Sequence, residues 1–125
     1  MNEKPEVTGR SDNGVAIITV NFSLEFPLGA NARSLGTYIV DRFCELGAQN
    51  HSCIVVVRSE VGGAFFARAL FELYGKVRPR SGKLICVNYP SDYIDSLTSL
   101  GLTSLEGFHV VDTLEEAMRC ARTQN

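Results

Sequence analysis

The chain has 125 residues, 45% of them hydrophobic and 21% charged, with a formal net charge of −2. That length suits a single domain with its own core, and the apolar content is that of an ordinary globular protein. The slight acidity argues against a nucleic-acid binder, and no apolar run approaches the ~18 residues that would span a bilayer. The opening MNEKPEVTGRSDNG is polar, so it is not expected to act as a secretory leader. A cytoplasmic location is therefore expected, with Cys44, Cys53, Cys86 and Cys120 as buried, reduced thiols. No Cys-x-x-Cys pair is present, and His51 and His109 sit in no ligand pattern, so neither a metal nor a cofactor is expected.

In chain order, residues 1–13 hold charge, Pro5 and Gly9 but few apolar side chains, and read as a flexible lead-in to a domain spanning 14–125. Val15 to Val20 reads as the first strand. From Asn21 to Leu28 apolar residues alternate at Phe22, Leu24 and Phe26, which predicts a second, edge strand closed by Pro27 and Gly29. A helix follows from about Ala32 to Leu46, with Leu35, Ile39, Phe43 and Leu46 on one face and Gly47 as its stop.

Cys53 to Val57 is an unbroken, β-branched apolar run, suited to a strand covered on both faces of a parallel sheet. After Gly62-Gly63 the spacing turns helical: Phe66, Ala69, Leu70, Leu73 and Val77 fall on one face. A basic turn with Lys76, Arg78, Arg80 and Lys83 leads to a buried strand at Leu84 to Asn88. Pro90 opens a helix carrying Tyr93, Ile94, Leu97 and Leu100, stopped by Gly101. Phe108 to Val111 is the last strand. Asp112 with Glu115 resembles a capping box before a final helix carrying Leu114, Ala117, Met118 and Ala121. The sum is one α/β domain, ordered ββαβαβαβα, with a mostly parallel central sheet and flanking helices.

In open α/β sheets the crevice at the carboxyl ends of the strands is the usual working surface. That places the candidate site on Ser59, Glu60, Val61, Gly62, Gly63, Ala64, Phe65 and Arg68, between the central strand and its helix. Adjacent helical residues cannot both enter one core, so Phe66 is assigned inward by its spacing and Phe65 outward, as an anchor for a partner. The glycine pair makes a tight turn, and it could also cradle an anion at the helix start. The basic turn reads as a solvated helix end, where positive charge suits the dipole, in preference to a phosphate or nucleic-acid site.

The downstream half resembles that of STAS domains, the family of the anti-sigma factor antagonists. The matching pieces are Leu84 to Asn88, Leu100-Gly101-Leu102, Phe108 to Val111 and Asp112-Thr113-Leu114-Glu115-Glu116-Ala117. Their order, with the upstream elements, carries the resemblance from about Gly14 to Arg122. It implies a non-enzymatic, cytoplasmic regulatory module of bacterial type. Its partner would be a protein, either an anti-sigma factor of kinase-like type or a partner-switching scaffold, and a homodimer stays open. The family's hallmark is Asp-Ser-Ser-Gly at the start of the helix after the third strand, phosphorylated by the partner. Here the equivalent positions are Ala64 and Phe65, or Phe66 and Ala67, and no hydroxyl residue occurs from Val61 to Leu73. Ser59 is the remaining loop candidate, so the module is expected not to be phospho-switched.

The upstream half also resembles the opening of crotonase (enoyl-CoA hydratase/isomerase) enzymes, through Val15 to Asn21, Ile54 to Val57 and Gly62-Gly63-Ala64-Phe65. That resemblance would make Gly62-Gly63 an oxyanion site for an acyl-CoA-type ligand. The second glycine-rich loop such a site needs is missing downstream, where Gly101 and Gly107 are isolated. A role as an accessory in membrane-lipid transport, which STAS domains also serve, is a third reading.

Overall fold

A computed structural model describes residues 6–21, 30–47, 49–57, 65–87, 95, 98, 99 and 101–122. Its strands are β1 (Glu6–Asp12), β2 (Val15–Asn21), β3 (Ser52–Val57), β4 (Leu84–Val87) and β5 (Phe108–Val111). Its α-helices are α1 (Ala30–Glu45), α2 (Phe65–Val77) and α3 (Leu114–Arg122). The five strands form one sheet in the order β1-β2-β3-β4-β5. β1 runs antiparallel to β2, and β2 to β5 are mutually parallel.

The centre of the sheet is buried on both faces because β2, β3 and β4 are apolar at nearly every successive position. Ala16, Ile18 and Val20 of β2, Cys53 and Val55 of β3, and Leu84 and Cys86 of β4 point to one face. Val15, Ile17, Ile54, Val56, Ile85 and Val87 point to the other, as a period of two requires. In a sequential strand order every right-handed crossover steps the same way, so the connecting helices share a face. The first face accordingly receives Ile39 and Phe43 of α1 with Leu70, Leu73 and Val77 of α2, all buried. α3 follows the last strand, has no crossover to make, and covers the second face with Ala117 and Ala121.

The structure departs from the sequence reading at the amino end. The expected lead-in contains β1, a seven-residue edge strand. Its turn is Asn13-Gly14, both at positive φ (51° and 85°), the geometry of a two-residue hairpin whose twist matches that of the strands it joins. Val7 is the apolar residue that β1 buries. At Gly9 a β-carbon would lie 2.7 Å from Cγ of Arg42, so the strand passes close under α1 and Gly9 leaves room for that stem. Asn21 ends β2, and residues 22–28 of the expected edge strand lie outside the described residues.

Elsewhere the elements fall within a few residues of expectation. α1 stops as anticipated, with Gly47 left-handed at φ 104°. Of the helix expected to open at Pro90, Asp95, Thr98 and Ser99 are described and helical, and Gly101 follows at φ 83°. The cap of α3 is Thr113, not Asp112: Thr113 Oγ1 accepts the Glu116 N–H at 3.1 Å and pairs with Glu116 Oε1 at 3.3 Å. The box therefore sits one residue later, because the cap must be three residues before the N–H it satisfies. Of the thiols expected to be buried, Cys53 and Cys86 are, Cys120 is half-buried, and Cys44 stands exposed on α1. Burial, and then the neighbouring Cys86, push the Cys53 thiol far up from its usual range, so it stays protonated.

Candidate functional site

The expected surface joins the carboxyl end of β3 to the start of α2. Ser59, Glu60, Val61, Gly62, Gly63 and Ala64 lie outside the described residues, as do the side chains of Phe65, Phe66 and Arg68. The backbone places Phe65 and Arg68 in the first turn of α2, three residues apart and so on one side of that helix. The first turn of α2 holds no acidic residue. Behind it Leu70 and Leu73 are fully buried, which anchors the turn on the sheet. On the helical layer around it, Tyr38 of α1 and Phe71 of α2 remain 50% and 45% exposed.

A second feature lies at the opposite pole, at the amino ends of the parallel strands. Here a partly open cavity of about 690 Å³ is lined by side chains from most of the sheet. His51 and Ser52 enter it at the start of β3, Lys83 just before β4, and Glu106 and His109 around the start of β5. Arg78 comes from the turn after α2 and Arg122 from the end of α3. Both histidines of the chain thus meet one cavity, although 58 positions separate them in sequence.

The wall is held by backbone contacts. Ser52 Oγ accepts the Lys83 N–H at 3.0 Å and lies 2.9 Å from Nδ1 of His51. Lys83 Nζ donates to the Cys120 carbonyl at 2.8 Å, a cation at the last turn of α3. Arg78 donates to the Gly82 carbonyl at 3.1 Å, stacks over Tyr74, and approaches the exposed Glu106 at 3.9 Å. Arg122 faces Asp12 at 3.7 Å. Arg80, outside the cavity, donates to the Asn50 carbonyl at 2.6 Å and lies over the Phe43 ring. The basic turn is therefore more than a solvated helix end: Arg80 and Lys83 tie distant backbone carbonyls across the pole, and Arg78 bonds a carbonyl within the turn. Partial burial, and then the charge of Lys83, lower the pKa of His109 below the usual histidine value.

Nothing in the sequence brings this cavity together. Its residues are scattered over turns, and only the strand register makes them neighbours: Ile54 pairs with Ile85, and Ile85 with His109. The one local hint was the run of basic residues before β4. Among the described residues, no group of three His, Cys, Asp or Glu side chains converges as a metal site would.

Among the described residues the fold is a mostly parallel five-stranded sheet with an antiparallel edge hairpin, with α1 and α2 on one face and α3 on the other. Solved structures with this architecture include STAS domains. The chain superposes on an anti-sigma-factor antagonist (STAS) domain protein from Planctomyces limnophilus with a TM-score of 0.72, at 14% identity, over 94% of this chain and 98% of that one. A candidate anti-sigma factor antagonist from Thermotoga maritima gives a TM-score of 0.64 at 17% identity, over 94% and 95% of the two chains. No family model matches the sequence, and no curated protein matches it. The likeness is thus one of fold: the chain has the architecture of these STAS domain structures.

Proposed function

We propose that this domain is a non-enzymatic, protein-binding regulatory module that docks its partner at the start of α2 and is not itself phospho-switched. The partner would be an anti-sigma factor of kinase-like type or a partner-switching scaffold protein. The observation that carries the reading is the pairing of a STAS-like fold with an α2 whose first turns hold no hydroxyl, since none occurs from Val61 to Leu73. Both structural neighbours are described as anti-sigma factor antagonists, which supports the class of role.

A phosphate at a docking helix adds about −2 charge and three acceptor oxygens, enough to expel a partner. A chain with Ala64, Phe65, Phe66 and Ala67 at that place cannot be expelled in this way. It binds constitutively, or is controlled through the partner or its abundance. Phe65 supplies an apolar anchor, with Glu60 and Arg68 at its rim and Ser59, Val61, Gly62 and Gly63 shaping the approach.

The test is a quantitative pull-down from host lysate with ATP, together with phosphosite mapping. Phe65→Asp is expected to abolish capture of the partner while leaving the thermal midpoint nearly unchanged. Undiminished capture by that variant, or stoichiometric phosphate on Ser59, would overturn the proposal.

A further inference from the structure

We infer that the cavity at the amino pole of the sheet is a binding site for the phosphate group of a small molecule, at the far end of the domain from the α2 docking surface. The first ground is size. At about 690 Å³ the cavity is in the range of small-ligand sites, which run from about 300 to 1,000 Å³. The second ground is charge. Arg78, Lys83 and Arg122 line it against the single carboxylate of Glu106, in a chain whose formal net charge is −2. Asp12 reaches Arg122 from just outside the lining.

The ion pairs that these cations make are exchangeable. Arg78 to Glu106 and Arg122 to Asp12 span 3.9 Å and 3.7 Å, and the Glu106 side chain is 91% exposed. Pairs of this kind contribute little in water, about 0–1 kcal/mol. A dianion held between a guanidinium fork and an ammonium gains shorter, charge-assisted contacts in their place. Lys83 Nζ is held at the cavity wall by its bond to the Cys120 carbonyl.

His109 stands among these charges: partial burial, and then the Lys83 ammonium, lower its pKa. An anion bound beside it favours the protonated imidazole, so binding is expected to raise the His109 pKa. The charged and titratable groups sharing the cavity with His109 are His51, Arg78, Lys83, Glu106 and Arg122, and all but Glu106 can turn donors toward phosphate oxygens. Ser52 and Ser81 add hydroxyls to the same wall.

The experiment is a titration of the full chain, followed by amide and imidazole NMR at constant ionic strength. The probes are inorganic phosphate, glycerol 3-phosphate and citrate. Both phosphates are expected to shift His51, Ser52, Lys83, Gly107 and His109 saturably and to raise the His109 pKa. Tighter binding of the monoester identifies a phosphorylated small molecule as the source, and equal binding identifies phosphate itself. Arg122→Gln, at an exposed position, is expected to weaken binding about tenfold, the loss of one charge-assisted contact. Lys83→Met is expected to do the same, and Arg122→Gln decides the matter if the lysine variant fails to fold. Shifts that do not saturate, that scatter over the surface, or that citrate reproduces with equal affinity would overturn the inference.

Discussion

A methyl group added at Gly82 would overlap the carbonyl oxygen of His51, which is backbone and cannot swing aside. Gly82 donates its own N–H to Val77 at 2.9 Å and receives Arg78 on its carbonyl, so it is fixed from both sides. Gly82→Ala is therefore expected to cost about 3 kcal/mol or more, by overpacking against a part that has no room to relax. Gly75 is the contrast, because nothing lies within 4 Å of its added carbon and it sits inside α2. Gly75→Ala is expected to stabilise by about 0.5–1 kcal/mol through backbone entropy alone. Urea unfolding of the two variants checks both signs. A mild effect at Gly82 would mean that the β3 and β4 leads are not in close contact. In sequence the two glycines look alike, since both punctuate the same basic stretch. Only the approach of His51 from 31 residues upstream separates them.

The elements show where local pattern suffices and where it does not. Thr113 caps α3 through its hydroxyl, so Thr113→Ala is expected to cost about 1 kcal/mol, while Asp112→Ala stays near neutral. Thermal melts of the two variants would reverse that order if Asp112 were the cap. β3 and β4 were legible because a both-faces-buried strand has to be continuously apolar. α2 was legible because Leu70, Leu73 and Val77 hold a helical spacing that burial enforces. β1 was not legible, because it buries only Val7 at its edge and leaves Thr8, Arg10 and Ser11 exposed. An edge strand pairs through its backbone, which composition does not record. The signal that finds it is Asn13-Gly14, a strong hairpin turn that straddles the boundary between the expected lead-in and the domain. The candidate site divides in the same way. The start of α2 followed from strand, turn and helix in order, whereas the cavity at the amino pole is made by register between distant segments.

At the scale of the molecule, one sheet serves two cores. Leu70 lies in the cluster beneath α1 and α2, and Val56 in the cluster beneath α3. The two clusters share the central strands, since alternate residues of β2, β3 and β4 feed each in turn. Loss of either core should therefore dissolve the sheet that carries the other, and the domain should unfold in one step. Leu70→Ala and Val56→Ala are each expected to cost about 2–4 kcal/mol. Each is expected to keep a single denaturant transition with an unchanged slope. Far-UV circular dichroism follows the whole fold, and labelling at the half-buried Cys120, resolved by mass spectrometry, follows α3 alone. The two curves should coincide in both variants. In Val56→Ala, labelling of Cys120 at urea concentrations where the dichroism is still native would show α3 leaving on its own. The second face would then be an appendage to the sheet, not half of its core. Losses below ~1 kcal/mol at both positions would mean that neither side chain is packed as its burial indicates.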